Sequence, residues 1–202
     1  MHRRQFIFSG SAIAGVSMFS ATASAAEVLR SAAPLQPATA IANGIRPFKI
    51  AVPRARLIDL QARLAKTRWP DKETVEDTTQ GPPLANIRRL AERWQNGYDW
   101  RSCEKLLNSS GQYVIQIDGI DIHFLHIRSK ERNALPLLLT HGWPGSVLEF
   151  RHVIGPLTDP VAHGGKAADA FDLIIPSLPG HGFSGKPTTT GWNNERIAKA
   201  WI

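Results

Sequence analysis

The stretch LLLTHGWPGS, residues 137–146, carries the reading of the fold. Its leading leucines form a continuous apolar run, the pattern of a strand buried on both faces. A His-Gly-Trp-Pro-Gly turn follows at residues 141–145. Turns at the carboxyl ends of such strands are where α/β proteins place ligands. Gly142 lets the backbone pass close to a bound molecule, and an inward-pointing N–H beside it can stabilise a developing oxyanion. Pro144 is a candidate for a cis peptide, because cis bonds are almost confined to X-Pro. Taken alone, the turn is a moderate signal, and its alternative reading is a tight strand-to-helix connection without a ligand.

Outward from this turn, residues 146–157 (SVLEFRHVIGPL) predict an amphipathic helix that starts near Ser146. Residues 170–184 (AFDLIIPSLPGHGFS) predict a second buried strand entering a Gly/Pro loop, and NNERIAKAWI at 193–202 opens a further helix. Upstream the period is two. QYVIQIDG and IDIHFLHIRS, parted by Asp118-Gly119, predict an antiparallel hairpin. Before residue 111 the period is helical. One helix starts at Pro53, repeats Leu57, Leu60 and Leu64, and stops at Trp69-Pro70-Asp71. A second covers about 84–96, with Ile87, Leu90, Ala91 and Trp94 on one face, and YDWRSCEKLLNS supplies a third. The succession argues for an α/β fold: a helical segment at 47–111, then a partial sheet of about four strands at 112–202. Its free parallel edge is expected at residues 171–175.

Composition narrows the function. The 202 residues are 43% hydrophobic and 20% charged, and the net charge of +7 is scattered with no Lys/Arg run of the kind that binds nucleic acid. Cys103 is the only cysteine, which excludes an intrachain disulfide and a cysteine-cluster metal site. Residues 1–25 are expected to be an export signal. Arg3-Arg4 and Phe6 precede an apolar run from Ile7 to Phe19, and Ala23 and Ala25 give the small-residue pattern of a cleavage site. The pair resembles a twin-arginine signal, with His2 where Ser or Thr is usual, so a periplasmic or secreted protein is expected. Residues 26–46, rich in Ala, Pro and Thr, read as a linker.

Together, THGWPGS, the Glu149-Phe150, Val153-Ile154 and Pro156-Leu157 pairs, and FDLIIPSLPGHGFSGKP at 171–187 resemble the α/β-hydrolase fold family. Within it they resemble epoxide hydrolases of the microsomal type. FKIAVPRARLIDLQARLAKTRWPD, YDWRSCEKLLN and IDGIDIHFLHIRS are similar to the N-terminal domain of that group, so the resemblance runs from about Pro47 to Ile202. It implies hydrolysis of a small-molecule epoxide to a vicinal diol through an Asp-alkyl ester, without cofactor or metal; a homo-oligomer is left open. It assigns the Trp143 backbone N–H to the oxyanion hole. His141, Gly142 and Pro144 shape that loop, and Gly180, Gly182 and Ser184 form the G-x-G-x-S loop beside it. The nucleophile, base, orienting acid and two cap tyrosines find no match, and belong C-terminal to Ile202. The chain therefore reads as the front part of such an enzyme, inactive by itself. An esterase or dehalogenase fragment of the same fold, or a non-catalytic remnant, are the competing readings.

No residue in the chain offers a substitute. Gly182-Phe183-Ser184-Gly185-Lys186 falls one glycine short of a serine-nucleophile elbow. Asp99, in Gly97-Tyr98-Asp99-Trp100, follows no apolar strand and reads as a helix cap. His123 and His126, three apart on a strand, face opposite sides and cannot share a metal. His152 and His163 lack an acidic partner at recognisable spacing, and His181 between glycines reads as loop-shaping. Tyr98 and Tyr113, the only tyrosines, both precede the sheet's apolar strands. Trp69, Trp94 and Trp100 read as core anchors.

Overall fold

A computed structural model describes residues 44–202. The expected export signal lies outside the described residues, as does nearly all of the expected linker.

In chain order the elements are β1 (Arg46–Pro47), α1 (Arg54–Ala65), α2 (Leu84–Asn96), α3 (Trp100–Asn108), β2 (Gln112–Ile117), β3 (Ile120–Ile127), β4 (Leu135–Leu138), α4 (Ile154–Thr158), β5 (Phe171–Pro176) and α5 (Asn194–Ala200). Pro53 precedes α1 and Pro83 precedes α2, while the Asp99 carboxylate caps α3 by accepting the Arg101 N–H. Asp118 (φ 49) and Gly119 (φ 79) make the left-handed pair that a two-residue hairpin between β2 and β3 requires. Residues 146–157 do not form one helix. Ser146 and Glu149 make a capping box over a 3-10 turn, Val147–Phe150, and α4 begins afresh at Ile154.

The sheet has five strands among the described residues, in the order β1-β2-β3-β5-β4. The additional strand is β1, two residues that pair antiparallel with β2 where the sequence carries no strand pattern. All pairings are antiparallel except β4 with β5. This order corrects the expected edge. β5 is interior, with Leu173 and Ile175 at 0% exposure, and the free parallel edge is β4, with Leu135 60% and Leu138 40% exposed. β4 is apolar throughout, yet among the described residues only β5 pairs with it.

The core gathers on one sheet face, where Leu125, Leu173 and Ile175 meet Ile50, Leu107 of α3 and Val147. Trp94 is half exposed, so it is not the core anchor its helical position suggested. A polar strip runs through the same face. His123 is fully buried, with Nε2 at 3.0 Å from the Gln112 side-chain carbonyl and Nδ1 at 2.9 Å from the Ser177 hydroxyl. Gln112 donates its amide to Asn108, whose own amide group pairs with both backbone atoms of Ile50. With Gln112 Oε1 accepting, the imidazole carries its proton on Nε2, and Nδ1 accepts from Ser177. Every polar atom of this strip is thereby satisfied at a neutral histidine.

Burial pushes the His123 pKa down from 6.5 to about 4. The unfolded chain therefore takes up this proton below about pH 6.5, and the folded protein only near pH 4. The stability contributed by neutral His123 is full above pH 6.5 and is lost as pH falls through that window. The integrated loss is on the order of 3 kcal/mol. Urea unfolding at stepped pH should show this decline, and His123→Leu, less stable at neutral pH, should show a flatter one. Equal slopes for the two proteins would refute the assignment.

Candidate functional site

β4 and β5 are parallel neighbours, so the turns at their carboxyl ends lie side by side. The HGWP turn leaves β4 and the SLPGHGFS loop leaves β5. Of the residues singled out in the sequence, His141 joins the two. It is 3% exposed, with Nε2 accepting the Leu178 N–H at 3.1 Å. That bond leaves the proton on Nδ1, which donates to the Gly142 carbonyl at 2.9 Å. The same carbonyl accepts the Gly145 N–H at 2.7 Å.

This arrangement aims Trp143. Its N–H belongs to the same peptide unit as the Gly142 carbonyl, and in a trans peptide the two point in opposite directions. Two donors hold the carbonyl on one side, so the N–H is turned to the other, where it donates to no described residue. The Trp143 side chain is 85% exposed, so only its backbone is engaged in the turn. Trp143-Pro144 is cis. Gly145 has no room for a side chain, because an added Cβ would collide with the Glu149 carboxylate of the capping box. An N–H held this way can receive the charge of a tetrahedral intermediate without reorganising.

The neighbouring loop is equally constrained. Gly180 (φ 79) and Gly182 (φ 53) are both left-handed, and the Gly180 N–H reaches the Gly185 carbonyl at 2.8 Å. The Ser184 hydroxyl is buried, accepting the His123 N–H at 3.0 Å and donating to the Ser177 carbonyl at 2.7 Å. It is committed to the backbone, with no base beside it. His181 stacks edge-on to His141 at 5.6 Å between ring centroids, and its Nδ1 lies 3.2 Å from the Pro179 carbonyl. His123 and His126 lie on opposite faces of β3, and among the described residues no group of three or more His, Cys, Asp or Glu could hold a metal.

A cleft of about 860 Å³ lies between α1, α3 and this region. Arg56, Leu57 and Trp100 line one side, Ser146, Ser177 and Gly182 the other, while His141 and Trp143 lie outside it. A smaller cavity of about 430 Å³ lies on the other sheet face, lined by Tyr113, Phe124 and Trp201. It is mainly apolar, and it is lined by the strand ends Leu138 and Pro176 but by no residue of either loop. Sequence reasoning does not find the polar strip at His123. Its one signal is the two-residue period, which sets His123 on the face of Leu125.

Gly182→Ala should damage the site, because the new Cβ would stand 2.9 Å from Ser177 Oγ at a backbone angle that alanine avoids. A loss of about 1–3 kcal/mol is expected, read as a lower urea midpoint, whereas Gly119→Asn at the tolerant hairpin turn should cost far less. Equal effects would remove the steric argument.

Similarity to known proteins agrees with this geometry. The family described as Epoxide hydrolase N terminus matches residues 45–150, and alpha/beta hydrolase fold matches 136–200. A Stigmatella aurantiaca protein named "Putative epoxide hydrolase" is 64% identical over 158 residues, which is 78% of this chain and 36% of that protein. Epoxide hydrolase 1 of Sus scrofa is 35% identical over 168 residues, 81% of this chain and 37% of the relative. The crystal structure of juvenile hormone epoxide hydrolase from Bombyx mori superposes with a TM-score of 0.69 at 30% identity, covering 79% of this chain and 38% of that one. The chain thus spans little more than a third of the length of these relatives. With its N-terminal helices, its mixed sheet and the paired turns at β4 and β5, the chain belongs to the epoxide hydrolase family of the α/β-hydrolase fold.

Proposed function

We propose that the chain supplies the oxyanion-binding part of an enzyme that hydrolyses epoxides to vicinal diols. The observation that carries this reading is the Gly142–Trp143 peptide, whose carbonyl is held twice and whose N–H is left free. In the proposed reaction, an Asp carboxylate opens the epoxide and forms an alkyl ester. A water activated by a His–acid pair then hydrolyses that ester, and the oxyanion of the second step falls to the Trp143 N–H. Among the described residues no aspartate sits at a turn from a buried strand into a helix. Asp99 caps α3, and Asp118 and Asp121 pair with Arg196 and Arg46. One oxyanion donor without nucleophile and base cannot form or hydrolyse the alkyl ester, so the 202-residue chain is expected to be inactive.

The test is styrene oxide hydrolysis by this chain and by the longest reading frame that contains it. Diol formation by the longer protein and none by the 202 residues is the expected outcome. No turnover by the longer protein, a preference for esters, or a frame closed at Ile202 would overturn the catalytic reading.

We also infer export, from Arg3-Arg4 and the Ala23/Ala25 cleavage pattern. Arg3→Lys with Arg4→Lys should retain the protein in the cytoplasm, while the unaltered form should appear outside it cut after Ala25. Cytoplasmic retention of the unaltered form would end this inference.

A further inference from the structure

The hydrogen bonds behind Trp143 share one direction. The His123 N–H donates to Ser184 Oγ at 3.0 Å, and the Ser184 O–H donates to the Ser177 carbonyl at 2.7 Å. That carbonyl shares its peptide unit with the Leu178 N–H, which donates to His141 Nε2 at 3.1 Å. His141 Nδ1–H donates to the Gly142 carbonyl at 2.9 Å, and that peptide unit ends in the Trp143 N–H. Each group accepts from the one before and donates to the one after. In such a head-to-tail chain every bond polarises the next in the same sense. Four of its members are enclosed, with His123, Ser177, His141 and Ser184 all buried, so water competes poorly for them.

We propose that Ser184 is a positioning residue for the oxyanion hole, relaying hydrogen-bond polarisation from β3 through the Ser177–Leu178 peptide and neutral His141 to the Trp143 N–H. The proposal rests on the reading of that N–H as the oxyanion donor. It gives the serine of the near-miss elbow a task that needs no nucleophilicity: its hydroxyl is the one side-chain link between the β3 backbone and the β5 loop in the relay. An alanine there would remove that one oxygen and leave both of its hydrogen-bond partners open. The Ser177–Leu178 peptide could then rotate, and the His141 ring would lose the donor that fixes its tautomer.

The test reads the relay directly in the 202-residue chain labelled with 15N. In the unaltered protein, a scalar coupling across the Leu178 N–H···Nε2 hydrogen bond is expected, with His141 in the Nδ1–H tautomer. Ser184→Ala should reduce or abolish that coupling, bring the two His141 ring nitrogens toward averaged shifts and move the Trp143 amide; Ser184→Thr, which keeps the hydroxyl, should restore all three. Tyr113→Phe, on the opposite sheet face, should leave them unchanged. Absence of the coupling in the unaltered protein, or unchanged His141 and Trp143 signals in Ser184→Ala, would overturn the relay. The first of these needs no variant to fold. In the longer protein of the epoxide assay, Ser184→Ala should lower kcat and leave KM in place, whereas an unchanged kcat or a change in KM alone would count against positioning. Failure of the epoxide reading would appear as no turnover with the spectroscopic relay intact, which separates the two claims.

Discussion

The hydrogen bond from the Leu178 N–H to the buried imidazole of His141 is the constraint on which the site depends. β4 and β5 are parallel, so they share a ladder but leave their carboxyl-end turns to find partners elsewhere. A buried N–H or carbonyl left without one costs about 1–3 kcal/mol. A histidine meets this need because a neutral ring accepts at one nitrogen and donates at the other. One side chain therefore closes two turns, and in doing so sets the orientation of the peptide between Gly142 and Trp143.

The same economy recurs one layer deeper. His123 lies where the apolar core would otherwise be continuous, flanked by the rings of Phe48 and Phe183. Its ring ties Gln112 to Ser177, and through Asn108 the strip reaches Ile50 ahead of α1. The helical segment is thus joined to the sheet by directional bonds as well as by the contacts of Ile50 and Leu107. The ion pairs contribute less. Arg46–Asp121 and Arg196–Asp118 are partly exposed, and such pairs are typically worth under about 1 kcal/mol each. The satisfied buried strip and the apolar cluster around Leu173 set the geometry.

Much of the architecture is legible in the residues themselves. The leucines at 57, 60 and 64, the Asp118-Gly119 turn and the apolar runs ending at His141 and Ser177 each state a local preference that the tertiary structure keeps. Besides the exposure of Trp94, three expectations fail, each for a reason that hydrophobic periodicity does not carry. Residues 146–157 break after Phe150, where the capping box closes a 3-10 turn and α4 restarts beyond it. The free edge is β4 and not β5 because chain order and spatial order differ in this sheet. Arg46–Pro47 becomes a strand because β2 offers it an edge, and two residues carry no periodicity to reveal that.

Most element types and the residues of both turns are written into the residues, because periodicity, glycine placement and X-Pro are local properties, and the family is legible through the resemblance that THGWPGS and FDLIIPSLPGHGFSGKP carry. What those residues do for one another depends on the folded arrangement. Leu178 and His141 are 37 positions apart, and His123 and Ser184 are 61 apart. No spacing rule connects them. Their partnership follows from stacking β3, β5 and β4 in that order, which encloses the polar groups at the strand ends and leaves them only each other to bond.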